Sequence, residues 1–265
     1  MRMVTGVLMA ALSFTASDAP AGQGQAAPAQ AAPFEILDNS FLVEEAFNQE
    51  AGVFQNIFNG VRTGNTWAAS VTQEWPLASQ THQLSYSLSW AGNPGSNFGD
   101  VLINYRYQAL MESPGVPAFS PRVSLVLPGG EAGRDSPGVQ FNLPFSKQTS
   151  NLYWHWNAGL TLLPSAEFEG ESRSLETPFL AGSAIARIRP MLHGMLESVL
   201  IFADEPTASG TSRRTAFTLS PGVRGGWNIG DHQAVVGLAV PITWSDDETE
   251  TAAFFYFSYE LPFKR

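Results

Sequence analysis

The chain has 265 residues, a formal net charge of −10 and 14% charged residues, well below the quarter that is typical of soluble domains. The negative charge argues against nucleic acid as a partner, because phosphate binding requires a basic surface. The absence of cysteine excludes a disulfide scaffold and a cysteine-ligated metal site. After the N-terminal leader, no apolar run reaches the length of about 18 residues that a spanning helix requires.

The first 21 residues have the organisation of a cleavable signal peptide. Arg2 supplies the charged end, Val4–Ala16 is an apolar core that is too short to span a membrane, and Ala19-Pro20-Ala21 is a small-x-small cleavage site. Ser17-Asp18-Ala19 is an alternative site. Residues 22–37, which are rich in Gly, Gln, Ala and Pro, are predicted to be a disordered linker. The sequence therefore predicts an exported protein whose folded domain spans residues 38–265.

The segment Asp38–Glu50 has no regular alternation and is rich in acidic residues. Ser40 is a candidate N-cap for a short helix, but a capping box would need Glu or Gln at the position of Val43. The segment is therefore either a short helix or an irregular leader to a first strand near Val53.

From Thr66 onwards, apolar and polar residues alternate with the period of two that separates the faces of a β-strand. The clearest strand is Gln83–Trp90 (QLSYSLSW), and the last one, Ala252–Phe263, has an apolar face rich in aromatics. Eleven such strands and one near Val53 make an even total of about twelve. The sequence thus predicts an all-β fold, a transmembrane antiparallel up-and-down β-barrel with both termini in the periplasm. A secreted soluble β protein is the alternative.

The predicted connections between strands alternate between long and short. Long outer loops, which together carry most of the acids, are predicted at Ser245–Thr251, Ala203–Ser212, Pro164–Thr177, Pro128–Pro137 and Ala91–Asn97. Short inner turns are predicted at Gly230–Asp231, Arg189–Pro190, Lys147–Ser150, Glu112–Val116 and Ala78–Thr81. Tryptophans fall near predicted strand ends, as in the aromatic girdles of membrane barrels: Trp67, Trp75, Trp90, Trp154, Trp227 and Trp244. This organisation favours the outer membrane of a Gram-negative bacterium over a soluble sandwich.

Five stretches also carry a resemblance to a known family: Asp38–Glu50, Gly99–Gln108, Pro121–Gly130, Val139–Gln148 and His155–Gly159. They resemble outer-membrane transporters related to the meta-pathway phenol-degradation proteins, and the resemblance extends from about Asp38 to Phe263. It implies a barrel that transports small molecules, among them hydrophobic or aromatic ones, and it brings no catalytic residues. Outer-membrane barrels also typically end on an aromatic residue that the barrel assembly machinery reads. Phe263 resembles that signal, although Lys264 and Arg265 follow it.

The ionisable residues on the inward faces of the barrel are the candidate lumen-lining residues. They are Glu74, Arg106, Arg122, His155, Glu197, Arg224 and Glu260. Charges in a narrow lumen are costly unless they are paired or hydrated. These residues therefore form either a structural ion-pair network or a charged constriction along a path for solutes. Because about eight strands give a filled interior and sixteen give an open channel, twelve predict a narrow path.

The acids of Asp38–Glu50 are opposite in sign to the inward arginines, so this segment is a candidate plug at the periplasmic mouth. Its candidate residues are Phe41, Leu42, Glu44, Glu45, Phe47 and Glu50. Inward aromatic residues at Tyr153, Phe254 and Tyr256 offer flat apolar surface. Neutral or aromatic compounds are therefore expected to pass more readily than ions.

Lipid hydrolysis is the rival chemistry, since outer-membrane phospholipase A is a barrel of similar size that uses Ser, His and an amide residue. His155, with Asn157 on the same face, is the best candidate, but the sequence places no serine beside it. There is no phosphate loop, HExxH motif or EF-hand. We therefore expect no enzymatic activity, cofactor or metal, and partners limited to outer-membrane lipid, the assembly machinery and a small-molecule solute. A non-transporting structural barrel is the remaining alternative.

Overall fold

A computed structural model describes residues 36, 40–77, 79–93, 95–129, 136–246 and 248–263. The predicted signal peptide and nearly all of the predicted linker lie outside these residues. Within the described ranges, no helix is long and apolar enough to cross a membrane.

The described residues form one antiparallel sheet of fifteen segments. In chain order they are β1 Val53–Thr63, β2 Thr66–Leu77, β3 Ser79–Gly92, β4 Asn97–Tyr107, β5 Ala118–Phe119, β6 Arg122–Leu127, β7 Gly138–Thr149, β8 Leu152–Phe168, β9 Glu171–Arg189, β10 Leu192–Thr207, β11 Gly210–Ile229, β12 His232–Ala239, β13 Ile242–Ser245, β14 Glu248–Thr251 and β15 Ala253–Pro262.

These segments make twelve wall strands among the described residues. β12 and β13 are two parts of one wall strand that is interrupted at Val240 and Pro241, and β14 and β15 are two parts of another that is interrupted at Ala252. β5 is a two-residue segment in the connection between β4 and β6. The predicted number of strands, about twelve, is confirmed.

The sheet closes on itself because β1 pairs with β2 on one side and with β15 on the other. The closing pairs run from Val53 with Pro262 to Arg62 with Ala253. Closure leaves no free sheet edge along the wall. We call the end at which Val53 and Pro262 lie the base, and the opposite end the rim. The predicted closed antiparallel β-barrel is confirmed.

The two faces of the wall differ in polarity, as the alternation predicts. On β4, Leu102, Asn104 and Arg106 are buried, whereas Ile103 and Tyr105 are exposed on the outside. The same outward face carries large apolar residues all round the barrel, among them Phe58, Leu125, Phe141, Leu180, Leu196, Val223, Leu238 and Phe257. An apolar band of this kind around a closed barrel contacts lipid.

Aromatic residues lie at both borders of this apolar band. Trp75, Trp154 and Trp227 lie on the outside near the base, and Trp244 lies on the outside near the rim. Trp75 stacks on Phe54, with ring centroids 5.2 Å apart. These positions correspond to the interfacial girdles of membrane barrels.

Four of the five connections at the rim are shorter than the sequence predicts, whereas β6 and β7 flank residues 128–137 as predicted. The loops predicted at Pro164–Thr177 and Ala203–Ser212 are wrong, because β8 to β11 extend to two-residue turns at 169–170 and 208–209. Glu169 and Gly170 have φ values of 52° and 81°, as a tight hairpin turn requires. At the base, the short inner turn predicted at Glu112–Val116 is wrong, because the connection between β4 and β6 spans residues 108–121. A strand that extends beyond the lipid has water on both faces and needs no apolar face. Alternation in the sequence therefore ends before the strand pairing does.

Candidate functional site

Residues 40–49 lie inside the barrel, and we call them the luminal segment. Each of their side chains is at most 4% exposed, whereas Glu50 is exposed where the chain leaves for β1. The segment consists of bends and extended chain, so a short helix with Ser40 as its N-cap is wrong. Ile36, which falls in the predicted linker, is also buried.

The backbone of the luminal segment is held by wall side chains. An extended chain without a strand partner must find other acceptors for its buried N–H groups. Glu197 Oε1 on β10 accepts hydrogen bonds from the amides of Leu42 (2.8 Å) and Val43 (3.2 Å). Asn157 on β8 accepts from the Glu44 amide (2.8 Å) and donates to the Glu44 carbonyl (2.7 Å).

Further anchors continue across the lumen to the opposite wall. The Ala46 amide donates to Ser146 Oγ (2.7 Å), the Asn48 amide to Gln108 Oε1 (2.9 Å) and the Gln49 amide to Gln83 Oε1 (2.5 Å). The anchors thus lie on β10, β8, β7 and β3 and in the β4–β6 connection. The segment therefore crosses the lumen from one side of the wall to the other.

The Glu44 carboxylate is the most densely contacted group of the segment. Arg106 Nη1 donates to Oε1 at 3.0 Å, and Arg122 Nε donates to both oxygens at 3.2 and 2.9 Å. Asn142 Nδ2 donates to Oε2 at 2.5 Å. All of these side chains are at most 4% exposed. We call Arg106, Arg122 and Asn142 the carboxylate cradle.

The two arginines of the cradle are held in different ways. Arg106 also donates to the Glu45 carbonyl (3.2 Å), the Phe47 carbonyl and Asn48 Oδ1 (2.9 Å), which all belong to the luminal segment. Arg122 donates instead to wall groups: Asn104 Oδ1 (3.0 Å), Ser124 Oγ and Gln140 Oε1 (2.9 Å). Wall groups therefore hold the Nη1 and Nη2 ends of Arg122 while its Nε binds Glu44, whereas the segment supplies most of the described contacts of Arg106.

The N-terminal part of the segment packs on an apolar side of the lumen. The Phe41 ring lies 5.6 Å from the ring of Phe254 and 5.2 Å from that of Tyr256. It fits there because Gly237 has no side chain, since a Cβ at that position would come within 2.1 Å of the ring. Gly226 makes similar room for Ile36, at 2.9 Å. Phe254 and Tyr256, predicted as solute-facing, are covered by Phe41 in this structure.

The structure corrects the expectation that no serine lies beside His155. Ser146 Oγ on β7 is 2.7 Å from His155 Nδ1, and Glu45 Oε2 is 4.0 Å from His155 Nε2. All three side chains are at most 1% exposed. Ser146 Oγ also accepts the Ala46 amide, so in this structure the serine anchors the luminal segment.

The other predicted lumen residues lie apart from the carboxylate cradle. Glu74 accepts a hydrogen bond from Gln83 (2.9 Å), and Arg224 Nε lies 3.3 Å from His193 Nδ1. Glu260 lies on β15 near the base. In the described contacts, Arg106 and Arg122 pair with Glu44 of the luminal segment. Among the described residues, no three His, Cys, Asp or Glu side chains are grouped to hold a metal ion.

Comparison with known proteins shows the class of the fold. No family model matches the chain, and no curated protein matches it. The NanC porin structure has a TM-score of 0.51 at 10% identity, covering 80% of this chain and 100% of that one. A chain from a study of the in-meso crystallisation of membrane proteins has a TM-score of 0.50 at 12% identity, covering 79% of this chain and 84% of that one.

At this identity the likeness shows the fold alone. The similarity to the porin agrees with the closed wall and the apolar outer band described above. The chain is an outer-membrane β-barrel, and more specifically a twelve-stranded one with a porin-like wall. The link to phenol-degradation proteins is not shown by these matches.

Proposed function

We propose that this barrel is a passive channel for small molecules, and that the luminal segment keeps it closed. One observation carries the proposal: residues 40–49, and not wall side chains alone, fill the lumen. Twelve strands enclose more space than the filled interior of an eight-stranded barrel. A purely structural barrel would not need a separate segment across its lumen.

The way the segment is attached supports a movable closure. Within the described ranges, no strand pairing joins residues 40–49 to the wall. The wall is closed without the segment, since β1 pairs directly with β15. Displacing the segment would therefore break side-chain contacts while leaving the barrel intact.

The lining of the lumen supports small apolar or aromatic molecules as solutes. Buried apolar residues line one side of the lumen, namely Phe179, Val199, Ile201, Ala239 and Phe254. Buried polar residues line the opposite side, among them Ser85, Asn104, Ser124 and Gln140. A molecule with an apolar body and a polar group finds partners on both sides.

The test is the conductance of a variant that lacks residues 34–50. We expect the purified, refolded variant to conduct ions in planar bilayers and to admit small solutes into liposomes faster than the full-length protein. Deletion of residues 22–33 is the matched control, because it shortens the chain and leaves the luminal segment in place. A folded 34–50 deletion that conducts no better than this control would contradict the proposal.

A lipid hydrolase is the second candidate, because Ser146 lies within hydrogen-bonding distance of His155. A nucleophile needs access to its substrate, and this serine is buried against the luminal segment. We therefore expect no lipid hydrolysis by the full-length protein, and none by the 34–50 deletion, because Ser146 then still faces the lumen and not the lipid. If the protein hydrolyses lipid and His155→Ala abolishes that activity, the enzymatic proposal replaces the channel proposal.

A further inference from the structure

We propose that the carboxylate cradle is a binding site for small carboxylic acids, which Glu44 occupies when the channel is closed. An incoming carboxylate with an apolar body takes the place of Glu44 and releases the luminal segment. This inference rests on the proposed channel function and names the class of molecule that opens it.

The cradle has the chemistry of a carboxylate site. Two guanidinium groups and one amide donate four hydrogen bonds to the two oxygens of Glu44. Charge-assisted bonds of this kind to a carboxylate are among the stronger hydrogen bonds in proteins. An alcohol or another neutral group cannot neutralise the two positive charges.

The wall forms part of this site without the segment. Arg122 is oriented by Asn104, Ser124 and Gln140, and Gln140 is itself held by Thr161 Oγ1 at 2.8 Å. A preformed donor needs little reorganisation when a ligand replaces Glu44. Arg106, by contrast, loses most of its described partners when the segment leaves. An incoming carboxylate restores a charge-assisted partner to Arg106.

The segment itself indicates the chemical groups that the ligand carries. Phe41 precedes Glu44 by three residues, and three residues of extended chain span at most ~10 Å. The segment thus presents an aromatic ring to Gly237, Phe254 and Tyr256, and a carboxylate to the cradle. A small aryl carboxylic acid carries the same two groups.

Binding of such an acid must compete with Glu44. A ligand that binds only after Glu44 has left the cradle has a reduced apparent affinity, because that state is a small fraction of the population. Removing the charge of Glu44 weakens the closed state and therefore raises the apparent affinity for the ligand. By linkage, the ligand must in turn make the luminal segment more accessible.

The first test compares 4-phenylbutyrate with 4-phenyl-1-butanol on the full-length protein in detergent, by isothermal titration calorimetry. The two probes share the apolar body and differ in the carboxylate. We expect phenylbutyrate to bind about tenfold tighter or more, because the charge-assisted bonds are lost with the alcohol. Equal affinities would overturn the proposal without any substitution in the chain.

The second test uses two acids that lie close together in the chain. Glu44→Gln is expected to raise the affinity for phenylbutyrate about tenfold, whereas Glu50→Gln, at an exposed position outside the segment, is expected to leave it unchanged. Folding of each variant is checked by its mobility on a cold detergent gel. Equal effects of the two substitutions would overturn the role of Glu44.

The third test reports on the segment. The chain has no cysteine, so Ala46→Cys places a single thiol at a position that is 0% exposed. Phenylbutyrate is expected to accelerate its labelling by a water-soluble maleimide, and phenylbutanol is not. Binding without faster labelling would overturn displacement of the segment. None of these results depends on the conductance of the 34–50 deletion, so the channel proposal stands or falls separately.

Discussion

Substitution of Gly237 by alanine should loosen the luminal segment. The new Cβ would lie 2.1 Å from Phe41 Cζ and 2.3 Å from Cε1, far inside van der Waals contact. The β-strand backbone is hydrogen-bonded on both sides of Gly237, by β11 and β15, so the Phe41 ring must move instead. Overpacking of a buried site costs about 1–3 kcal/mol, and this cost falls on the closed state alone. The population with a displaced segment should therefore rise about 5- to 150-fold.

Maleimide labelling of Ala46→Cys measures that population, because the thiol reacts only when the segment is displaced. Gly182→Ala is the matched control, since its Cβ would meet its nearest neighbour, Ser198 Oγ, at an ordinary 3.7 Å. Both changes replace a strand glycine by alanine, so both lower the conformational entropy of the unfolded chain to the same extent. Equal labelling rates in the two folded variants would refute the reasoning that Phe41 seats the segment against Gly237.

Two further predictions concern the wall. Leu238→Arg places a charge on the lipid face, where Leu238 is 57% exposed, and should cost about 2–4 kcal/mol near the midplane, lowering the folded fraction in vesicles. Thr211→Arg, close to the 208–209 turn at the rim, should be tolerated. Equal losses of folded fraction in the two variants would contradict the assignment of the lipid face. In the 34–50 deletion, Arg106→Ala with Arg122→Ala should shift the reversal potential in a salt gradient toward cation selectivity, because the lumen loses two positive charges. An unchanged potential would show that the cradle does not line the conducting path.

Alternation determines the wall of this barrel from the sequence alone. Ser85 and Ser87 point inward and Leu84 and Tyr86 outward, because side chains on a strand alternate strictly between faces. Alternation does not report depth or register, however. The proximity of Ser146 and His155 follows from the pairing of β7 with β8, which the sequence pattern does not specify.

The luminal segment was harder to predict for a different reason. Its residues contact the wall through side chains at sequence separations of 32 to 155, so no local periodicity marks them. The opposite signs of Glu44 and the inward arginines indicated the association but not the partners. One signal was present in the sequence: Gly237 occupies an inward position where the rest of its strand carries side chains. Such a glycine indicates close approach of another part of the chain.

The measurement that tests the central claim most directly is solute flux through a protein whose luminal segment is tethered to the wall. Ser40 Oγ and Ser183 Oγ lie 2.6 Å apart, so cysteines at both positions are placed to form a disulfide in a chain that has no other cysteine. We predict that the oxidised double variant admits no small solute into liposomes and that reduction restores uptake to the level of the wild-type protein. Equal uptake by the oxidised and reduced forms, with the disulfide shown to be complete, would contradict closure of the channel by residues 40–49.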